Sequence, residues 1–313
     1  MKIRLGYVAI SKALDITSSS TITYTNYKNN NDINKLYEII NKNLDALSEI
    51  LKYNIKNNLH FYRLTSKLIP LATHDEVSYD YINPFKNKFN ILNNLIKNNN
   101  LRIDVHPDQF TVLNSPRENV LKNTFKILEY HYNILDALKI QDKVIILHVG
   151  GCQFGKKKSI TRFINNFNKL PEYIQKCIVI ENDDKIFNIT DCLYISNKLN
   201  IPVVLDYHHF ICNNNGELIE DLIVDIFKTW KNKTPKIHFS SPKSNLKKEF
   251  RSHHDYISAD TFIEFLNKIK FINQDFDIML EAKAKDDALF RLVRELKYKT
   301  NYKFIDESTF IME

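Results

Sequence analysis

Val144-Ile145-Ile146-Leu147-His148-Val149-Gly150-Gly151 is the stretch that decides the fold. Four aliphatic residues run unbroken into a histidine and then, after one valine, a glycine pair. Side chains alternate along a strand, so Val144, Ile146 and His148 share one face while Ile145, Leu147 and Val149 share the other. A strand apolar on both faces belongs to a parallel sheet covered by helices, and here a polar group enters only as the strand finishes.

The same pattern recurs along the 313 residues. Short runs rich in Ile, Val and Leu are read as strands at Ile3 to Val8, His60 to Leu64, Leu101 to Val105, Val144 to Val149, Cys177 to Glu181, Pro202 to Asp206, Lys236 to Phe239 and Asp277 to Glu281. Helical periodicity fills the intervals at Asn34 to Lys52, Phe85 to Lys97, Val120 to Leu138, Ile160 to Asn168, Ile186 to Lys198, Gly216 to Trp230, Ala259 to Ile269 and Asp286 to Lys297. Eight strand–helix alternations predict an α/β fold, a (β/α)8 TIM barrel. No linker rich in Pro, Gly or Ser divides the chain, so residues 1–313 are read as one domain.

Polar residues sit where these runs end: Arg63, His106, His148, Glu181, Asp206, His238 and Glu281. The strand C-termini of such a barrel open onto the active-site face, so the repetition points to a ring of functional groups around one mouth. Parity supports this, because Val179 pairs with Glu181, Val204 with Asp206 and Met279 with Glu281 on the barrel-facing side. Lys236 shares its face with His238 and so falls among candidate metal ligands, where an ammonium is repelled. Either the lysine is neutral, or it is modified to an acid, or the strand register differs.

Composition narrows the classes further. The five glycines form no phosphate-cradling motif, which argues against a nucleotide cofactor. The four cysteines have no C-x-x-C spacing, no run reaches the length of a membrane span, and no signal peptide core follows Met1, so an intracellular protein with free thiols is expected. The Asn188 and Asn232 sequons therefore carry no weight. With 44 basic against 37 acidic residues the formal charge is +7, which suits an anionic partner.

The candidate ligands are imidazoles and carboxylates: His106, His148, Glu181, Asp206, His209, His238, His253 and Glu281. That mixture suits Zn(II) or Mn(II), and it exceeds what one catalytic ion takes, so more than one divalent ion is implied. Clustered ions are the usual device for hydrolysing a phosphodiester. Lys156, Lys157 and Lys158 follow the fourth run, while Lys243, Lys247, Lys248 and Arg251 follow the seventh, as a basic rim for a polyanionic backbone. His106-Pro107-Asp108-Gln109-Phe110 leaves the third run with an amide and an aromatic side by side. Phe110 either enters a base stack or packs on the barrel rim.

Ten blocks in order, among them Leu5-Gly6-Tyr7-Val8, Pro70-Leu71-Ala72-Thr73-His74, His106-Pro107-Asp108-Gln109-Phe110, His148-Val149-Gly150-Gly151, Glu181-Asn182-Asp183-Asp184, His238-Phe239-Ser240-Ser241-Pro242-Lys243 and Glu281-Ala282-Lys283, resemble the signatures of the UV damage endonuclease family. The resemblance runs to about Leu296. It implies a TIM barrel related to endonuclease IV that nicks duplex DNA immediately 5' of UV photoproducts, both cyclobutane dimers and 6-4 products, to start excision repair. It also implies that the eight residues above bind up to three ions, manganese first, with zinc, magnesium or cobalt also compatible. Catalytic roles fall to Glu181, Lys236, His238 and Glu281, and Lys236 is expected as a carboxylysine. Tyr7, His74, Gln109 and Phe110 match lesion-contacting positions, with Lys156, Lys157 and Lys243 along the DNA. Asp108 and Phe110 depart from the family's common Gly or Asn and Tyr, and His253-His254 leaves the ligand open to a slip of one.

The expected partner is damaged double-stranded DNA, bound by a monomer. Three rivals share parts of the pattern: an abasic-site endonuclease of the endonuclease IV type, a sugar isomerase on the same barrel, and a damage-binding protein without catalysis. The Gln109-Phe110 block argues against the first, the basic rim against the second and the intact ligand set against the third.

Overall fold

The structure, a computed structural model, describes residues 1–30 and 32–313. All eight expected strands are present: β1 (Lys2–Val8), β2 (Phe61–Leu64), β3 (Arg102–Val105), β4 (Ile145–His148), β5 (Ile178–Glu181), β6 (Val203–Asp206), β7 (Lys236–Phe239) and β8 (Phe276–Leu280). They pair in parallel and in sequence, and β1 closes the barrel by pairing with both β8 and β2. Register sets His148 level with Glu181 and Asp206 level with His238, while Glu181 pairs with Val204, two residues before Asp206, so the four strand-end side chains gather at the mouth in two staggered pairs.

The alternation along each strand divides two interiors. Ile3, Leu5, Tyr62, Leu64, Ile103, Val105, Ile145 and Leu147 face outward into the main core beneath the helices. Val144, Ile146, Val179 and Val204 face the lumen and form a separate cluster with Trp230, whose Nε1 donates to the Val203 carbonyl at 2.8 Å. That cluster fills the side of the lumen lined by β4 to β6. The opposite side is ionic. Asp277 receives Arg4 Nε at 2.7 Å, Arg4 Nη2 at 2.6 Å and Arg102 Nη1 at 2.5 Å, while Asp104 receives Arg63 Nε at 3.1 Å and the Lys236 ammonium. Buried ions cost several kcal/mol each unless paired, and each of these four cations has a carboxylate. Gly6 leaves the lumen open to the Phe61 ring, since a Cβ there would lie 2.6 Å from it.

The helical expectations hold with shifted ends, as in Ile33–Lys56, where Asp32 accepts the Asn34 N–H, and Ile189–Leu199, where Asn188 and Asp191 form a reciprocal cap. Lys156, Lys157 and Lys158 lie in the first turn of the helix Lys156–Phe167 rather than in a loop. Periodicity missed the short helices Tyr24–Asn30, Glu172–Gln175 and Tyr207–Cys212, each under two turns long. It also missed a terminal ribbon, β9 (Lys303–Phe304) and β10 (Thr309–Ile311). β10 pairs antiparallel with Lys2 to Arg4, below the stretch of β1 that pairs with β2, and so satisfies backbone groups there.

Candidate metal centre

Glu181 ends β5, 1 % exposed, at the centre of the barrel mouth. Its carboxylate belongs to three groups of donors, each compact enough to hold an ion: with His106 and His148, with His238 and Glu281, and with Asp206 and His209. Seven of the eight candidate ligands are therefore brought together. The eighth, His253, stands with Nδ1 4.0 Å from Glu281 Oε2, outside those groups. Its neighbour His254 instead accepts the Tyr256 N–H through Nδ1, so of the two His253 is the one beside Glu281.

Local geometry prepares these side chains as ligands. His106 Nδ1 donates to the Pro107 carbonyl at 2.8 Å and His209 Nδ1 to the Asn182 carbonyl at 3.0 Å. A carbonyl only accepts, so each ring keeps Nε2 as a lone pair, the usual outer support of a metal-bound histidine. His106 Nε2 then faces Glu181 Oε2 at 2.8 Å. Two acceptors at that separation require a proton or a cation between them. Asp206 accepts the His209 N–H through Oδ1 at 2.8 Å, capping Tyr207–Cys212 and placing His209 one turn onward, while its buried Oδ2 has no partner. Asn182, fully buried, locks β5 to β6 by donating to the Asp206 carbonyl and accepting its N–H.

Arg63 orders the other side of the mouth. Its guanidinium donates to Glu281 Oε1 at 2.6 Å and to His238 Nε2 at 2.5 Å, leaving His238 Nδ1 to face Glu181 Oε1 at 2.8 Å. Burial opposes ionisation of Glu181, but His238, His148 and His106 outweigh it and hold the carboxyl well below the ordinary range. Burial together with the nearby Glu181 and Glu281 brings Asp206 up to about 7. Burial lowers His209, yet Asp206, Glu181 and Glu281 raise it to about 9. Without a cation, then, the Asp206–His209 pair keeps a proton near neutrality, and a cation binding there releases it. Burial lowers His148 and His238, favouring the neutral imidazole that a metal needs.

Lys236 has a setting that strand parity alone does not show. Its ammonium shares the lumen face with His238, as parity requires, but meets Asp104 one layer below the ligands. The register stands, and Asp104 is the counterion of the unmodified lysine. Tyr7 is corrected: it is fully buried on the outer face of β1, its hydroxyl donating to Asn54 Oδ1 at 2.6 Å, so it is a core residue rather than a lesion contact. His74 stacks on Tyr24 at 4.0 Å, away from the ligand groups. Gln109 and Phe110 form an exposed turn whose N–H at Phe110 is held by Asp108 Oδ1, and Phe110 is 75 % exposed, so it does not pack on the rim. Lys156 is paired with Asp191 at 2.5 Å and Lys243 with Glu249 at 2.6 Å, whereas Lys157 has no ion-pair partner among the described residues. The structure adds Lys283 and Lys285, which with Arg63, His106, His253 and Glu281 line a cavity of about 380 Å³ at the mouth. The Glu281-Ala282-Lys283 block was the only signal for Lys283, and no motif singled out Lys285.

The family model described as UV-endonuclease UvdE matches residues 3–309. The chain is 45% identical over 303 residues to the UV DNA damage endonuclease of Bacillus cereus strain B4264, covering 95% of each protein. It is 43% identical over 316 residues to that of Bacillus thuringiensis subsp. konkukian, covering 99% of each. Among solved structures, the crystal structure of SacUVDE superposes with a TM-score of 0.87 at 35% identity, covering 95% of this chain and 98% of that one. D-psicose 3-epimerase from Clostridium cellulolyticum H10, at 14% identity and a TM-score of 0.50, shares the barrel alone. Extent, identity and backbone agree, and this chain belongs to the UV-endonuclease UvdE family.

Proposed function

We propose that this nuclease is a metal-dependent hydrolase of damaged duplex DNA, acting as a monomer and nicking on the 5' side of UV photoproducts. The observation that carries the proposal is Glu181 shared by three donor groups at one barrel mouth. The orphaned Asp206 Oδ2 and the His106–Glu181 acceptor pair fit divalent ions. His106, His148, Glu181, Asp206, His209, His238 and Glu281 would hold up to three, manganese foremost, with His253 completing the rim. Such a cluster, when bound, supplies neutralisation of phosphate oxygens and acidification of water. The chain's own residues orient it: Arg63 fixes Glu281 and His238, Asn182 fixes Asp206 relative to Glu181, and Lys283, Lys285 and Lys157 meet the DNA backbone. Gln109 and Phe110, exposed on a braced turn, are placed to enter a weakly stacked damaged step.

An end-labelled duplex carrying one cyclobutane dimer, incubated with the protein and Mn(II), is expected to be nicked immediately 5' of the dimer, and a chelator is expected to abolish the nick. Intact DNA with folded, metal-supplied protein would overturn the reading. Cleavage only at an abasic site would transfer it to the endonuclease IV type of activity.

Carboxylation of Lys236 is a separate part of the proposal. Burial, with Arg102 and Arg63 nearby, brings this lysine down to about 7 against the pull of Asp104, so an amine able to add carbon dioxide is present near neutrality. Native mass spectrometry at neutral pH is expected to find the added mass of one carbon dioxide, lost on acidification and absent from Lys236→Ala. An unmodified wild-type mass under those conditions rules it out.

A further inference from the structure

Phe154 lies in the connection after β4 with its ring 67 % exposed. Isolated exposed apolar side chains are ordinary and need no explanation. This one is different because its backbone is held in the left-handed region, φ +66°, where a phenylalanine is strained. Strain persists only where the surroundings enforce it. Arg162 enforces it here: Nη2 donates to the Gln153 carbonyl at 2.6 Å, and the guanidinium stands 5.8 Å from the centre of the Phe154 ring.

The same arginine joins this segment to the one carrying Gln109 and Phe110. Arg162 Nε donates to the Asn114 carbonyl at 2.8 Å, and Asn114 Nδ2 donates to the Gly151 carbonyl at 2.6 Å. Gly150, at φ +111°, lets the two segments touch, since a Cβ there would fall 2.4 Å from Asn114 Oδ1. Phe110 and Phe154 therefore stand on adjoining connections braced as one unit beside the metal centre. Lys157 and Lys158, both exposed and without an ion pair among the described residues, follow three and four residues after Phe154.

We propose that Phe154 is a second base-stacking side chain, engaging a nucleobase of the damaged duplex alongside the Gln109-Phe110 turn while Lys157 and Lys158 hold the adjacent phosphates. An exposed ring flanked by cations is the general form of a stacking platform for unpaired bases. The assignment rests on the proposed DNA substrate.

Phe154→Asn removes the ring but suits the left-handed backbone, so the variant folds, and Phe154→Trp restores a ring that reports on its surroundings. The only native tryptophan, Trp230, is buried. Binding is measured with a fluorescein-labelled duplex containing one cyclobutane dimer, with Ca(II) replacing Mn(II). Phe154→Asn is expected to raise Kd about tenfold, equivalent to ~1.4 kcal/mol. Phe154→Trp is expected to bind like the wild type, with its added fluorescence quenched by the damaged duplex. Wild-type Kd for Phe154→Asn, or unquenched emission from a bound Phe154→Trp, overturns the proposal. If the wild type itself fails to bind and nick the dimer duplex, the parent reading falls and this assignment with it; if it nicks and only the Phe154 results fail, the parent reading stands.

Discussion

Glu181→Gln is expected to lower the single-turnover nicking rate by about 10³-fold or more while leaving the damaged duplex bound. Each tenfold corresponds to about 1.4 kcal/mol of barrier, and a charge common to all three donor groups contributes to every ion at the mouth. Glutamine keeps the shape but replaces an anion by a neutral amide, one of whose ends can only donate. That end meets either His106 Nε2 at the Oε2 position or His238 Nδ1 at the Oε1 position. The rate is read under saturating enzyme and Mn(II), with bound metal counted on the same sample. Full activity with undiminished metal content would remove Glu181 from the centre. Loss of activity with all metal retained would assign it to the reacting atoms rather than to metal holding.

Asp277→Asn is expected to cost about 3 kcal/mol of folding free energy, the scale of breaking a buried ion pair by removing one partner. The asparagine would leave Arg4 and Arg102 without an anion at the base of the lumen, where their side chains are only 24% and 17% exposed. Burial raises the Asp277 carboxyl, but Arg102 and Arg4 outweigh it and hold it low in the folded state. A depressed folded value stabilises the protein above the ordinary carboxylate range, and that contribution is lost as pH falls through it. Urea unfolding followed by Trp230 emission is therefore expected to show a large difference between wild type and variant at pH 7 that narrows toward pH 3. Equal midpoints at pH 7 would show that the two arginines need no buried counterion.

Much of this was legible in the sequence because it depends on local periodicity. Val144 to His148 already shows which side chains face the lumen, and the same parity placed Glu181, Asp206 and Glu281 correctly. The eight strands followed from short aliphatic runs, and the helices from apolar spacing, with only their ends displaced. The departures have physical reasons. Tyr7 was expected at the lesion from the resemblance alone, and strand alternation turns it away from the lumen-facing Gly6 into the core. Lys156 and Lys243, expected along the DNA, are ion-paired with Asp191 and Glu249, which the sequence alone does not bring beside them.

The sequence by itself determined the barrel, the height at which each strand meets its polar residue, and the mixed imidazole and carboxylate chemistry of the mouth. All three depend on neighbours along the chain, through strand alternation and helix periodicity. Only the tertiary structure decided that Glu181 stands in three donor groups at once, that Asp104 receives Lys236, and that Arg162 braces the segment carrying Phe154 against the segment carrying Phe110. Those contacts join residues 75, 132 and 48 positions apart, in His106–Glu181, Asp104–Lys236 and Asn114–Arg162. No local pattern encodes them, because distant carboxylates and cations find each other only once the barrel has closed and excluded water from between them.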